Sequence, residues 1–169
     1  MIEFLYRSLI ELTNRRWTSL LLQKFARSKV SRILIPSFAR FYRINLEEVE
    51  SSIFDFSNLH EFFIRKLKAG VRPINEEPSS VVSPVDAIME DCGKITFDLS
   101  LRIKGKSYSL IEMLGCKEKA AKYLNGTYVL LYLSPSHYHR IHSPYYGEVV
   151  DQWILGKTSY PVNKYGLQY

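Results

Sequence analysis

Between Ile2 and Phe25 apolar residues recur at helical spacing in two sets, Leu5, Leu9 and Leu12, then Trp17, Leu20, Leu21 and Phe25, which predicts two amphipathic helices. Asn45 with Glu48, and Asn58 with Glu61 ahead of Phe62, Phe63 and Leu67, have the spacing of capped helix starts. Gly70, Pro73 and Pro78 then break the helical pattern, and short apolar runs between turn residues follow. Candidate strands are 81–82, 87–89, 94–97 and 99–103, with Lys104, Gly105 and Lys106 as a hairpin turn and Ser109 with Glu112 capping a short helix through Leu114. The solid apolar run 128–133 predicts a strand buried on both faces, and 148–155 resembles it. The expected fold is α+β, with N-terminal amphipathic helices and a mostly antiparallel β core behind them. Residues 1–44 form a basic helical segment, 45–75 a second helical segment and 76–169 the β-rich part.

With 46% hydrophobic and 24% charged residues the chain has the composition of a folded domain. Charge sharpens the picture at the front, where residues 1–43 hold nine Lys and Arg against Glu3 and Glu11, while the remainder is nearly balanced. Arg15, Arg16, Lys24, Arg27, Lys29 and Arg32 lie on or beside the polar side of the predicted helices, and Trp17 suits a lipid headgroup boundary. An anionic membrane surface is the partner this implies, and core-packing helices with a basic outer face are the competing reading. Nucleic acid is not expected, because the charges interleave with large aliphatic residues and no nucleic-acid module is recognisable. No apolar run approaches the roughly 20 residues of a spanning helix. Cys92 and Cys116 stand outside any CxxC pair and read as reduced thiols in the cytoplasm.

Three blocks set polar side chains against apolar strands: Ser83-Pro84-Val85-Asp86, the stretch 104–110, and the stretch 133–144. The last puts His137, His139 and His142 directly behind a strand, where a rigid element presents side chains into a site. Alternation places His137 and His139 on one side and His142 on the other, unless bends at Pro135 and Pro144 bring His139 and His142 together. Such a cluster suits general acid and base work, with Asp86 as the carboxylate that orients an imidazole. A metal site is the alternative, although the spacing matches no common zinc pattern. Taken alone, Asp86 is as readily a turn or cap residue.

The stretch 62–74 (FFIRKLKAGVRPI), the Ser-Pro-Val-Asp block, Lys-Gly-Lys-Ser-Tyr-Ser-Leu and Tyr138-His139-Arg140-Ile141-His142-Ser143-Pro144 together resemble the ordered motifs of bacterial phosphatidylserine decarboxylases. The resemblance runs through essentially the whole chain. It implies a proenzyme that cleaves itself before a serine and converts that serine into a covalent pyruvoyl group, the cofactor that accepts electrons as carbon dioxide leaves phosphatidylserine. It further implies Asp86 and His142 as carboxylate and base for self-cleavage, and His139 for the decarboxylation step. The implied partners are the phosphatidylserine substrate, an anionic membrane at the cytoplasmic face, where the protein sits peripherally, the C-terminal α chain of the processed enzyme and, as a further candidate, a second copy in a homodimer.

His137 stands where many family members carry Asp, and Ala87 where Gly is frequent. The Leu-Gly-Ser-Thr type cleavage motif is absent from residues 1–169, and Leu114-Gly115-Cys116 is only a partial echo, with Cys116 read as structural. The expectation is therefore a truncated core that makes no pyruvoyl group alone, exposes strand edges and tends to aggregate. The rival readings are a noncatalytic lipid-binding remnant and a His-site metalloenzyme.

Overall fold

Helices at the front give way to antiparallel strand pairs behind, as the α+β expectation has it. The computed structural model describes residues 16–103, 106–152 and 154. The described residues divide into two compact units, one within residues 16–73 and the other within 74–154.

In the first unit the apolar set at Leu20, Leu21 and Phe25 lies on helix α1 (Arg16–Ala26), while the set at Leu5, Leu9 and Leu12 lies outside the described residues. All three side chains on α1 are exposed, as are Val30 and Ile33 in the 3-10 helix Lys29–Leu34 that follows. Helix α2 (Ile35–Phe41) was not anticipated from periodicity, since 33–36 reads simply as an apolar run. Pro36 sits in its first turn, where a missing N–H costs nothing. Both capped starts are present. Asn45 accepts from the Glu47 amide at the 3-10 helix Leu46–Glu48, and Asn58 accepts from the Glu61 amide at α3 (Leu59–Phe63). Glu61 reaches back to the Ser57 amide at 2.9 Å, which closes the reciprocal cap.

Ile35, Phe38, Ala39, Ile44 and Phe62 form the core of this unit, so segments 1–44 and 45–75 share one cluster among the described residues. Phe62 is fully buried and meets Phe38 and Phe56 edge-on, at 6.3 and 5.3 Å between ring centroids. Ser31 is the polar counterpart. Its buried hydroxyl donates toward the carbonyls of Ala26 and Ser28 and accepts from the Leu59 amide at 2.9 Å. Within the 62–74 block, buried Arg65 lays its guanidinium over the Phe62 ring. Lys68 donates its amide to the Glu48 carbonyl, Lys66 accepts from the Glu50 amide, and Arg72 pairs with the Glu48 carboxylate at 3.0 Å.

In the second unit β1 (Ile88–Lys94) pairs antiparallel with β4 (Thr127–Tyr132), from Ile88 opposite Tyr132 to Lys94 opposite Thr127. The predicted hairpin joins β2 (Ser100–Ile103) to β3 (Lys106–Ser109), although residues 104 and 105 of its turn lie outside the described residues. Ser109 accepts from the Glu112 amide to start α4 (Leu110–Leu114), and Gly115 ends it at φ 69°, a left-handed conformation that suits glycine. Helix α5 (Lys117–Ala121) follows, again unanticipated. Ile95, Leu99, Leu101, Ile103, Leu110 and Ala120 make the core, with Tyr128 and Leu130 packed against it. Tyr128 crosses the close approach at Gly93, where a Cβ would lie 2.9 Å from its ring, and donates its hydroxyl to the Arg102 carbonyl at 2.6 Å.

Several strand expectations are corrected. The run 128–133 is not buried on both faces: no residue of β4 is fully buried and Val129 is 52% exposed, because the ribbon packs the side carrying Tyr128 and Leu130 on the cluster. The candidate pieces 87–89 and 94–97 are replaced by one strand, β1, which runs through polar Glu90 and Asp91. Beyond it Thr96, Asp98 and Ser100 turn the chain through side-chain hydrogen bonds, leaving Phe97 exposed. Residues 81–82 and the described part of 148–155 form no strand.

Ser31→Ala strands the buried Leu59 amide and should cost about 1–3 kcal/mol, read as a lowered denaturation midpoint. Burial pushes the Tyr128 phenol above its ordinary pKa of 10.0, and the Asp91 carboxylate adds to the shift. Its protonated form therefore favours folding, fully so below pH 10.0 and progressively less as pH rises through the folded-state value. Stability should fall on the alkaline side in a pH-dependent melt, and Tyr128→Phe should flatten that fall.

Candidate functional site

Serine and proline recur as a pair in both segments that build the site, Ser83-Pro84 and Ser143-Pro144. A proline carries no N–H, so within a strand pair it can only accept. Both prolines do so: the His142 amide donates to the Pro84 carbonyl at 2.8 Å, and the Val82 amide to the Pro144 carbonyl at 2.9 Å. Each serine hydroxyl donates to a carbonyl two residues on, Ser83 to Val85 and Ser143 to Tyr145, which stiffens the bend at its proline. The stretches 82–86 and 138–144 thus run antiparallel and prolong the line of the β1–β4 ribbon.

The second stretch carries more residues than the first between the Ile88–Tyr132 pair and the Pro84–His142 bond, and the excess forms a turn. That turn is Ser134-Pro135-Ser136-His137, with proline pre-set for its second position. His137 donates its amide to the Ser134 carbonyl at 2.9 Å, and the Ser134 amide donates to His137 Nδ1 at 3.0 Å. The hydroxyls of Ser134 and Ser136 bond to each other beside it.

Asp86, His139 and His142 all lie on this pair of stretches. The half-buried Asp86 accepts the Tyr138 amide on Oδ2 at 3.2 Å, so it ties one stretch to the other across a separation of 52 residues. His142 is exposed, and its ring stacks on Tyr138 with centroids 5.5 Å apart and planes 28° from parallel. One tyrosine thereby touches both predicted members of the base pair, Asp86 through its amide and His142 through its ring. His139 takes a different neighbour, its Nε2 lying 2.8 Å from the Ser134 carbonyl oxygen. His137 and His139 both reach Ser134, His137 at its N–H from within the turn and His139 at its C=O from beyond it. The Pro135 and Pro144 bends send the His139 and His142 rings to separate partners, Ser134 and Tyr138.

Sequence reasoning named the stretches but missed Ser134 and Tyr138 as the residues that organise them. Ser134 acts through its backbone N–H and C=O and Tyr138 through its amide as well as its ring, and main-chain groups, which every residue has, leave no mark in a side-chain pattern. Among the described residues no group of three His, Cys, Asp and Glu side chains is arranged to hold a metal ion. Cys116 is the N-cap of α5 and donates its thiol to Glu118 Oε2 at 2.9 Å, which draws the Glu118 carboxyl below its usual range.

Comparison with known proteins adds a family match. The model of the family described as phosphatidylserine decarboxylase matches residues 59–169. The protein named phosphatidylserine decarboxylase proenzyme in Anoxybacillus flavithermus is 56% identical over 169 residues, covering 100% of this chain and 64% of the relative. A Geobacillus proenzyme of the same name is 55% identical over 100% of this chain and 65% of its own length, and one from Bacillus cereus 52% identical over 98% and 63%. The chain thus spans less than two thirds of the length of these curated relatives.

Asp86→Ala removes the acceptor of the Tyr138 amide, and amide hydrogen exchange at Tyr138 should accelerate roughly tenfold or more, the equivalent of one lost hydrogen bond. Asp86→Asn keeps an oxygen in that place and should retain most of the protection.

Proposed function

We propose, since this chain belongs to the phosphatidylserine decarboxylase family, that the complete protein removes the carboxylate of phosphatidylserine as carbon dioxide and leaves phosphatidylethanolamine. Its cofactor is a pyruvoyl group made from one of the protein's own serines, in a part of the protein that these 169 residues do not include. When in place, that group supplies a ketone that engages the substrate amine and takes up the electron pair released with carbon dioxide. The residues of this chain suit such a group by chemistry: an exposed imidazole at His142, a carboxylate at Asp86 on the neighbouring stretch and a second imidazole at His139.

In this reading His142 takes the proton from the serine hydroxyl as that oxygen attacks the preceding carbonyl, and Asp86 balances the imidazolium that results. Its exposure favours the role, because a base that serves a later segment of the protein has to be reachable. His139 delivers the proton that replaces the departing carboxylate. The observation that carries the proposal is the shared anchoring of Asp86 and His142 around Tyr138, on a chain whose motifs match the family in order.

The processed enzyme works at the cytoplasmic face of the membrane as a peripheral protein. Supporting this, α1 exposes Leu20, Leu21 and Phe25 with Lys24 and Arg27 beside them, and no helix among the described residues is long and apolar enough to cross a bilayer. An apolar stripe flanked by cations suits anionic headgroups, each cation near the surface contributing on the order of 1 kcal/mol.

In the full-length protein, Asp86→Asn and His142→Ala should leave an uncleaved single chain on a denaturing gel. His139→Ala should be cleaved yet lose about 10²–10⁴-fold in carbon dioxide release. Cleavage of the first two at the wild-type rate would remove the proposed roles. Binding to vesicles containing phosphatidylserine should weaken about fivefold for each of Lys24→Ala and Arg27→Ala, and the difference from wild type should shrink at high salt, measured by cosedimentation.

A further inference from the structure

We propose that His137 is a positioning residue for His139: its Nδ1 closes the Ser134–His137 turn and so presents the Ser134 carbonyl to His139 Nε2, fixing which nitrogen of His139 carries the proton. The inference rests on the reading of His139 as the proton donor in decarboxylation. A carbonyl oxygen can only accept, so the ring nitrogen 2.8 Å from the Ser134 oxygen has to be the protonated one, Nε2–H. An amide can only donate, so His137 Nδ1, 3.0 Å from the Ser134 nitrogen, has to be the unprotonated one. The two imidazoles therefore clasp one residue from opposite ends, His137 at its N–H and His139 at its C=O.

The same Ser134 carbonyl also accepts the His137 amide at 2.9 Å, which occupies its second lone pair and sets its direction. Ser134 is thus held by the side chain and the backbone of His137 together. Losing the side-chain bond leaves the turn held by the His137 amide alone, so the backbone at Ser134 is less constrained and the direction of its carbonyl, the acceptor that selects the His139 tautomer, loosens with it. In the neutral ring so selected, the lone pair sits on Nδ1, and in the charged ring Nδ1–H is the proton not committed to Ser134. The turn thereby sets the angle of the His139 ring and keeps Nε2 with Ser134 during the proposed proton delivery.

The geometry also says which replacements preserve the function. Nδ1 of histidine and Oδ1 of asparagine stand the same number of bonds from the main chain, so His137→Asn keeps an acceptor for the Ser134 amide, and His137→Leu does not.

The test uses full-length protein labelled with ¹⁵N at histidine, with ring-nitrogen shifts read above the titration range, alongside kcat and KM for decarboxylation. Wild type and His137→Asn should show His139 as the Nε2–H form with a protected Ser134 amide. His137→Leu should show mixed His139 tautomers, rapid Ser134 exchange and a kcat lower by roughly 10²-fold with KM little changed. An Nδ1–H His139 in the wild type, which needs no variant to observe, would overturn the proposal. So would a His137→Leu protein with wild-type tautomer and kcat, or a His137→Asn protein as impaired as His137→Leu. If the tautomer pattern follows expectation but the wild type releases no carbon dioxide, the positioning stands and the assigned reaction fails instead.

Discussion

The pairing of residues 82–86 with 138–144 is the constraint on which the candidate site depends. Two prolines that can only accept set its limits. Each stands opposite an amide that needs an acceptor, His142 for Pro84 and Val82 for Pro144. The absence of their own N–H groups stops the ladder from extending as regular sheet, so the stretches keep strand-like alignment while the side chains between them leave the strict alternation of a sheet. Asp86 then supplies a carboxylate where a backbone acceptor would otherwise serve, and takes the Tyr138 amide. A residue read as catalytic is thereby also part of the scaffold, which accounts for its half-buried setting beside an exposed His142.

The rest of the second unit supplies rigidity behind that arrangement. The β1–β4 ribbon hands its direction to the two stretches, and Tyr128 ties the ribbon to the β2–β3 hairpin through the Arg102 carbonyl. Lys119 reaches Asp151 at 2.6 Å, which holds the Asp151 carboxyl below its usual range and attaches the stretch beyond the site to α5. The first unit is organised differently, around an aromatic cluster at Phe62 and a single buried hydroxyl at Ser31 that satisfies the start of α3. Its helix α1 keeps the apolar side chains of Leu20, Leu21 and Phe25 exposed to solvent.

Much of the local structure was legible in the residues. The caps at Asn45, Asn58 and Ser109 and the end of α4 at Gly115 are where their chemistry puts them, because each is a bond between neighbours in sequence. The hairpin at β2–β3 follows from a turn between two short apolar runs. Expectations went astray where the partner lies far away. The run at β4 looked doubly buried because its composition says only that it is apolar, and its one-sided packing follows from the core cluster lying against the face that carries Tyr128 and Leu130. Strand β1 looked broken because Glu90 and Asp91 are poor strand residues alone, yet pairing with β4 carries them.

The same division holds in the site. Residue types and order alone singled out Asp86, His139 and His142 as candidates for one chemistry, since proton transfer needs groups of their kind. Only the tertiary structure decided that His142 stacks on Tyr138, that Asp86 holds the Tyr138 amide, and that His137 takes the Ser134 N–H while His139 takes its C=O. Apart from the ring stack, those arrangements depend on directional bonds to main-chain groups. Every residue has the same amides and carbonyls, so the string of side chains leaves their choice of partner open until the chain has folded back on itself.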